Sequence, residues 1–353
     1  MIVSRTPFRI SFFGGGTDYP AWYREHGGAV LATAIDKYCY LTCRHLPPFF
    51  EHKYRIVYSY IERVSSVDKL KHPAAREVLR FMNLPSGVEV HHDGDLPARS
   101  GMGSSSAFTV GLLHALHALK GEIPSKHQLA MESIHVEQEM LKETVGSQDQ
   151  VLAAYGGLNH VTFHTNGEVG VQPMTIGRER LEQLNSHLML FYTGIKRTAS
   201  DVAKSYVNDI QSKRRQLQIM ATLVKEAVIL LNSRSDLTDF GNLLHEAWQA
   251  KRSLSEQVTN PDVDSIYATA RRAGALGGKL TGAGGGGFMV LFAPPERHAE
   301  IREKLNKILW VPFQFDSNGS QIIFYDPGED YSAAEADRAQ KNLTAFKEWD
   351  YER

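Results

Sequence analysis

The sequence predicts an α+β protein of two domains, and three observations support this prediction. The chain has 353 residues, which is longer than the stretch that one hydrophobic core usually serves. Residues 1–60 carry the alternating apolar pattern of strands, whereas residues 200–274 are dominated by the spacing of helices. We therefore predict domains over 1–183 and 184–328, followed by a charged tail over 329–353.

The composition excludes several functional classes. Apolar residues make up 42% of the chain, charged residues make up 22%, and the formal net charge is -1. These values are close to globular averages and leave no basic field for nucleic acid or an anionic membrane surface. The apolar runs are too short for a secretory signal or a membrane span. We expect a cytoplasmic protein with no nucleic-acid partner and no membrane partner.

The predicted elements follow one another along the chain. Alternating apolar residues predict strands over 29–43, 54–60, 86–96, 188–192 and 288–292. Helical spacing and capping residues predict helices after 107, from Ser125 to about Leu141, over 200–231 and 237–258, and from Pro261 to near Gly274. Cys39 and Cys43 share one face of the first strand, which favours core packing over a metal pair. His114 and His117 lie on a predicted helix without a neighbouring carboxylate motif, and we predict structural roles for both.

A loop in the first domain has the composition of an anion-binding site. Gly101, Met102, Gly103, Ser104, Ser105 and Ser106 directly precede an apolar helix. Glycines let the backbone approach a ligand, a helix N-terminus offers free N–H groups, and serine hydroxyls can reach a phosphate oxygen or its metal. A plain helix cap in a flexible serine loop explains the same residues equally well.

Counted along the chain, the triple glycine 14–16 is the first glycine-rich segment and loop 101–106 is the second. The third glycine-rich segment lies near the end of the second domain. Residues 282–287 match the spacing G-x-G-x-x-G, but a strand follows where a dinucleotide-binding turn requires a helix. The segment also lacks the Gly-Lys-Ser/Thr ending of a Walker A loop. Five glycines in six residues lower chain stability unless a close approach requires them. We expect a backbone or a ligand to come very near this loop.

The N-terminal strand combines Arg9 with the triple glycine 14–16 and with Asp18. An arginine within an apolar strand requires a carboxylate or phosphate partner, unless it lies on the wet face of the sheet. Asp18 fits either a ligand contact or an ordinary turn. Glu137 lies inside the apolar stripe of the helix that starts at Ser125, and a buried carboxylate requires a partner.

Together and in this order, these segments resemble the GHMP kinases. Thr6–Asp18 resembles the first motif of that family, Leu96–Ala107 the second, and Lys279–Gly287 the third. The resemblance covers residues 1 to about 328. It implies a GHMP kinase fold with an N-terminal domain like ribosomal protein S5 domain 2, a ferredoxin-like C-terminal domain, and a site between them.

The resemblance also implies the site residues. Asp149 is implied as the general base and Arg9 as its partner, with Glu137 and Ser105 as ligands of Mg²⁺ and loop 101–106 as the ATP site. The substrate residues implied are Asp18, Gly15, Gly16, Thr17, Gly284 and Gly285, with Lys196 and Arg197 as the candidates for a substrate phosphate. Arg99 and Arg44 are further candidates for that phosphate. The alternative for all four basic residues is that they lie exposed on the surface and have no role in binding the phosphate.

The segments around Gly14–Gly16, Asp149 and 191–197 are similar to the heptose and fucose kinase branch of the family. This implies ATP-dependent phosphorylation of the anomeric hydroxyl of D-glycero-D-manno-heptose 7-phosphate, giving the 1,7-bisphosphate, in nucleotide-activated heptose synthesis for surface polysaccharide. Alternatives are a kinase for fucose, galactose or mannose, a catalytically silent sugar sensor on the same fold, and a diphosphate decarboxylase. Whether the protein forms a homodimer is left open by the sequence.

Overall fold

The computed structural model describes residues 1–195, 199–328 and 331–341. The strands are β1 (Ile2–Phe13), β2 (Gly28–His45), β3 (Tyr54–Val57), β4 (Ile61–Val64), β5 (Val88–Gly94), β6 (Leu158–Phe163), β7 (Val169–Pro173), β8 (Leu188–Tyr192), β9 (Gly277–Leu280), β10 (Phe288–Phe292), β11 (Leu309–Trp310), β12 (Phe315–Asp316) and β13 (Gln321–Tyr325). The helices are α1 (Pro20–His26), α2 (Pro73–Met82), α3 (Ser104–Leu119), α4 (Lys126–His135), α5 (Gln148–Tyr155), α6 (Arg178–Ser186), α7 (Ala199–Val207), α8 (Arg214–Asn232), α9 (Thr238–Arg252), α10 (Pro261–Arg272), α11 (His298–Lys304) and α12 (Ser332–Lys341). The predicted mixture of strands and helices is confirmed.

The first sheet is built around the long strand β2. Strand β1 pairs with β2 along nearly its whole length, and β5 and β6 pair with opposite halves of β2. Strands β12 and β13 lie beyond the boundary predicted at 184, yet they pair with β2 and β1. The chain therefore returns to the first sheet near its end. The exact domain bounds stay a prediction.

The second sheet has the order β11, β8, β10, β9, with antiparallel pairing throughout. Its central strand β10 is completely buried, which fits a continuous apolar run packed on both faces. The glycine-rich segment 282–287 connects β9 to β10, so the antiparallel pairing of these two strands carries the loop toward the first sheet. The described part of the predicted tail forms α12.

Two helix starts lie where the sequence predicts them, and the cap at Ser125 was itself predicted. The Ser125 side chain accepts a hydrogen bond from the backbone N–H of Gln128 at 3.0 Å and begins α4. The Asn260 side chain accepts from the N–H of Val263 at 3.0 Å, and Pro261 occupies the first turn of α10. Each cap satisfies one of the free N–H groups at the helix start.

The predicted helices over 200–231 and 237–258 are wrong in their bounds. The first is interrupted between α7 and α8, where Asn208 and Asp209 are weak helix formers. The second ends at Arg252, and the chain turns so that Val258 O can accept a hydrogen bond from Gly285 N at 2.8 Å. The first correction has a local cause, whereas the second comes from a contact with a distant segment, which local periodicity does not report.

Cys39 and Cys43 are free thiols in the core, as predicted. No helix in the described part of the chain is long and apolar enough to cross a membrane.

His117 links the end of α3 to α4 through two carboxylates. Its Nδ1 lies 2.6 Å from Glu122 Oε2, and its Nε2 lies 2.8 Å from Glu132 Oε2. Burial alone would lower the pKa of His117, but the hydrogen bonds and charges of Glu132 and Glu122 outweigh burial and raise it above its ordinary value of 6.5. The expectation that no carboxylate lies near His117 is therefore wrong, because Glu132 comes from the next helix and Glu122 from the turn between the two helices.

This arrangement gives a pH-dependent contribution to stability. Because the folded pKa of His117 is raised, the stabilisation is fully present below about pH 6.5 and disappears as the pH rises through the folded value. We expect His117→Gln to lower the free energy of unfolding by about 1–2 kcal/mol at about pH 6 and by less at about pH 9. Urea unfolding at both pH values measures this difference. A penalty that does not change with pH would contradict the prediction.

Candidate active site

One cavity collects most of the residues that the sequence singled out. Its volume is about 290 Å³, and it lies between β1, the start of α3, the start of α5 and the loop that follows β9. The predicted site residues that line it are Arg9, Gly15, Gly16, Asp18, Gly101, Gly103, Ser104, Ser105, Ser106 and Asp149. The first, second and third glycine-rich segments therefore meet at one place.

Arg9 and Asp149 form a two-pronged ion pair at the centre of this cavity. Arg9 Nε donates to Asp149 Oδ1 and Arg9 Nη2 donates to Asp149 Oδ2, both at 2.6 Å. The Arg9 side chain is buried, whereas 26% of the Asp149 side chain is exposed. This geometry fixes the plane of the carboxylate and leaves part of it open to a ligand.

Arg9 also reaches the second glycine-rich segment. Its Nη1 donates to Gly101 O at 2.7 Å, and its backbone N–H donates to Met102 O at 3.1 Å. The predicted nucleotide residue Met102 is completely buried and does not line the cavity. Its backbone oxygen, and not its side chain, contributes by anchoring the loop to β1.

The second and third glycine-rich segments touch through their backbones. A Cβ atom at Gly101 would lie 2.7 Å from Thr281 O, and one at Gly282 would lie 2.7 Å from the Cα of Gly101. Both glycines also have positive φ values, 79° and 66°, which larger residues rarely adopt. The close approach that the glycine content of 282–287 predicted is therefore a contact between loops.

Asp18 is a buried acceptor on the wall of the cavity. Its Oδ1 accepts from Gly16 N at 2.8 Å, and its Oδ2 accepts from Gln148 Nε2 at 2.9 Å. Burial raises the pKa of Asp18, the bond from Gly16 partly offsets this, and the charge of Asp149 raises it further. Two carboxylates in one cavity favour binding of cationic or hydroxyl-bearing groups between them.

Glu137 lies beside the serine loop, in a π-helical turn (Val136–Met140) that continues α4. Such turns reposition side chains and often occur at functional sites. Ser106 Oγ donates to Glu137 Oε2 at 2.9 Å, and Gln150 Nε2 donates to the same oxygen. Burial raises the pKa of Glu137 to about 7, although the bonds from Ser106 and its neighbours lower it. Its other oxygen, Oε1, is buried and has no hydrogen-bond partner in the described residues.

Several predicted site residues lie away from the cavity or outside the description. Thr17 is buried and donates to Gly14 O and Ala29 O at 2.9 Å, so it stabilises the turn. The structure does not bring Gly284 and Gly285 to the cavity, because they pack against Val258, while Gly282 and Ala283 line it instead. Lys196 and Arg197 lie outside the described residues.

Sequence reasoning missed further side chains that line the cavity, or overlooked their role in it, among them Ser11, Tyr19, Gln148, Tyr206, Lys251 and Lys279. Gln148 could have been found, because it directly precedes Asp149 at a helix start. Tyr19 and Tyr206 come from separate parts of the chain and meet with hydroxyl oxygens 3.4 Å apart. Lys251 lies within an ordinary amphipathic helix and has no local signal at all.

The fold and the cavity define a small-molecule kinase, and two family models specify the group. The model of the GHMP kinases N terminal domain matches residues 67–157, and the model of the GHMP kinases C terminal domain matches residues 224–309. The chain belongs to the GHMP kinase family.

Curated relatives agree with this assignment. The D-glycero-alpha-D-manno-heptose 7-phosphate kinase of Campylobacter jejuni is 29% identical over 322 residues, which cover 87% of this chain and 93% of that protein. The L-fucokinase/L-fucose-1-P guanylyltransferase of Bacteroides fragilis is 26% identical over 354 residues, which cover 87% of this chain and 36% of that longer protein.

Solved structures share the fold. A D-glycero-D-manno-heptose 1-phosphate kinase from Bacteriodes thetaiotaomicron superimposes with a TM-score of 0.75 at 23% identity and covers 92% of this chain and 99% of its own. The Lactococcus lactis galactokinase complexed with galactose gives a TM-score of 0.71 at 17% identity, with coverages of 91% and 94%. At these identities the likeness establishes the fold alone.

Gly146 tests how tightly Asp18 is held. A Cβ atom at Gly146 would lie 1.9 Å from Asp18 Oδ2, so Gly146→Ala must displace the carboxylate and break the bonds from Gly16 and Gln148. We expect the free energy of unfolding to fall by about 1–3 kcal/mol, measured by urea denaturation. The control is Gly177→Ala, since nothing lies within 4 Å of a Cβ atom there. Equal unfolding midpoints for the two variants would contradict the prediction.

Proposed function

We propose that this protein transfers the γ-phosphoryl group of ATP to the anomeric hydroxyl of D-glycero-D-manno-heptose 7-phosphate, giving the 1,7-bisphosphate. The observation that carries the chemistry is the ion pair of Arg9 and Asp149, which faces Asp18 across the cavity. The substrate rests on the Campylobacter jejuni heptose 7-phosphate kinase, since the match extends over 93% of that protein.

Asp149 is the proposed general base. The acceptor oxygen attacks the γ-phosphorus, the bond from that phosphorus to the ADP oxygen breaks, and the hydroxyl proton passes to Asp149 and then to water. Arg9 holds the carboxylate in one plane through two hydrogen bonds of 2.6 Å. Its positive charge also lies beside the phosphoryl group, where negative charge is spread over the oxygens during transfer.

Loop 101–106 is the proposed site of the nucleotide phosphates. Gly103 precedes the first residue of α3, so the free N–H groups of the helix start open toward the cavity. Ser104 and Ser105 line the cavity beside them. This combination of backbone donors, helix dipole and hydroxyls is suited to a phosphate chain. Family membership supports ATP as the donor.

The residues around Glu137 fit Mg²⁺. The buried Oε1 of Glu137 lacks a partner in the described residues, and an unpaired carboxylate oxygen is the donor that Mg²⁺ prefers. The described residues contain no cluster of three acidic, histidine or cysteine ligands, which agrees with a metal held by one carboxylate, a serine hydroxyl and phosphate oxygens. Glu137 and Ser105 are the proposed ligands, and the metal would neutralise charge on the phosphates.

Asp18 is proposed to accept hydrogen bonds from sugar hydroxyls, with the backbone of Gly15 and Gly16 alongside it. Lys196 and Arg197 remain proposed partners of the 7-phosphate. Arg99 is a further candidate, because its exposed side chain lies at the cavity and its backbone holds a φ of 59°. The proposal also includes a cytoplasmic location and a role in nucleotide-activated heptose synthesis for surface polysaccharide.

The substrate is tested by coupled ADP release over a panel of acceptors. The panel contains D-glycero-D-manno-heptose 7-phosphate, D-mannose, D-galactose and L-fucose. We expect turnover with the heptose 7-phosphate, and phosphorus NMR should detect a second phosphate on its anomeric carbon. Turnover with an unphosphorylated sugar but not with heptose 7-phosphate would overturn the substrate assignment. Absence of turnover with every acceptor would favour the sugar sensor.

Asp149→Asn tests the general base. The amide keeps the size of the side chain but cannot accept the hydroxyl proton, so kcat should fall by about 10²–10⁴. ADP release at saturating ATP and acceptor measures this change. The matched control is Asp93→Asn on the exposed end of β5, which should keep the wild-type kcat. If Asp149→Asn keeps the wild-type kcat, Asp149 is not the general base and its role is limited to positioning.

A further inference from the structure

Two buried lysines line the cavity and have no role in the chemistry described above. Lys251 comes from the last turn of α9 and is 3% exposed, and Lys279 comes from β9 and is 2% exposed. Lysine is almost never this buried without a charged partner. Their position in the same cavity as Arg9 and Asp149 therefore requires an explanation.

Neither lysine is satisfied by the protein groups around it. Lys251 Nζ donates to Gly282 O, and Lys279 Nζ donates to Phe12 O at 3.0 Å. Within residues 1–195, 199–328 and 331–341, no carboxylate forms an ion pair with either lysine. A protonated lysine has three N–H bonds to donate, and burying it without an acceptor is costly.

A third polar group in the cavity is also unpaired. Ser11 is 4% exposed, lines the cavity, and its Oγ has no hydrogen-bond partner among the described residues. Ser11 lies two residues after Arg9 on β1. The cavity thus holds two lysines that each donate to a backbone oxygen and a serine hydroxyl with no partner in the described residues, so donor capacity is left over for an anion.

The positive charges that line the cavity repel one another. Burial lowers the pKa of Lys251 to about 7, and the charge of Arg9 lowers it further, while Asp18 and Asp149 oppose the shift. Burial, then Lys251 and Arg9, hold the pKa of Lys279 well below its ordinary value. An anion bound between these groups would relieve the repulsion and restore the protons.

The connections of Lys251 indicate which anion fits. Lys251 binds Gly282, whose backbone packs on Gly101 of the serine loop, and Arg9 joins Gly101 to Asp149. Lys251 therefore contacts the loop that packs on the proposed nucleotide-phosphate site, and it shares the cavity with the proposed base. A phosphoryl group in transfer passes from that phosphate site to the acceptor beside the base and spreads its charge over three oxygens.

We propose that Lys251 and Lys279, together with Arg9, form a cationic cradle for the phosphoryl group during its transfer from ATP to the acceptor. The lysines donate hydrogen bonds and exchange no proton with the reactants, so the bonds made and broken are those already given. This inference rests on the proposed kinase function of the cavity, and it does not depend on which sugar is the acceptor.

The test compares the wild-type protein with Lys251→Met, Lys279→Met and Lys251→Arg. Methionine keeps the length of the side chain and removes its charge. Lys225→Met is the matched control, since Lys225 is exposed on α8. For each protein, ADP release gives kcat and the KM of the acceptor, and thermal unfolding gives Tm. The acceptor panel includes phosphorylated and unphosphorylated sugars.

We expect Lys251→Met to lower kcat by about 10²–10³ with every acceptor that the wild-type protein uses. The KM of the acceptor should change little, because the charge acts on the phosphoryl group. Tm should be no lower than that of the wild-type protein, because the variant removes a buried ammonium group without a carboxylate partner. Lys279→Met should behave in the same way, and Lys225→Met should match the wild-type protein throughout.

The pH profile adds a readout that a structural role would not change. The groups that face Lys251 are Arg9 on β1, Asp18 after β1, Asp149 on α5 and Lys279 on β9. Protonated Lys251 is the active form, so kcat/KM of the wild-type protein should fall as the pH rises through about 7. In Lys251→Arg the pH at which this limb occurs should change, because a guanidinium stays charged and Lys279 is then the lysine of the cradle that loses its proton.

Three results would overturn the cradle. A kcat of Lys251→Met equal to that of the control would remove its role in transfer. A raised KM confined to phosphorylated acceptors would assign the lysine to the phosphate of the acceptor. A joint loss of kcat and Tm would make it structural. The identity of the acceptor is read from the wild-type protein alone, so failure of the heptose assignment is distinguished from failure of the cradle.

Discussion

The buried guanidinium of Arg9 holds the cavity together. It forms two hydrogen bonds with Asp149 at the start of α5 and one with Gly101 in the serine loop. The backbone of the same residue is hydrogen-bonded to Met102. An arginine in an apolar strand is costly unless its donors are satisfied. Because its partners come from two other segments, satisfying Arg9 fixes where those segments lie.

The second constraint is the contact between the two glycine-rich loops. Gly101 and Gly282 approach so closely that a methyl group on either would meet backbone atoms. This contact joins the first sheet to the loop between β9 and β10. Strands β12 and β13 return to the first sheet from the other direction. The loop contact and the pairing of β12 and β13 both join the second half of the chain to the first. Together they fix the distances between the cavity residues that must act together.

Buried groups of opposite charge lie in the cavity and beside it, with Glu137 behind Ser106. Asp18 and Glu137 are buried carboxylates, and burial raises the pKa of each. Lys251 and Lys279 are buried lysines, and burial lowers the pKa of each. All four groups are therefore destabilised in their charged forms until ligands arrive. Buried ionisable groups of this kind lower the stability of the fold, and they are typical of sites whose charges are already in place before the substrate binds.

The sequence by itself determined the features that depend on neighbouring residues. Glycine content, serine hydroxyls before an apolar helix, the cap at Ser125 and the helix start at Pro261 are local properties, and each is found where the pattern predicts it. The pattern also indicated that Glu137 needs a partner, since its helical position was on the apolar stripe. It could not name Ser106 and Gln150 as that partner set.

Only the tertiary structure decided which distant groups share the cavity. Lys251 has no motif around it, and it reaches the site because α9 packs beside β9 and the Lys251 side chain in its last turn donates to Gly282 O. Gly284 and Gly285 belong to the same glycine run as Gly282, yet they face Val258. Spacing along the chain determines backbone conformation, whereas the neighbours of a side chain depend on how sheets and helices pack. For that reason the loops of this kinase were predictable and its buried lysines were not.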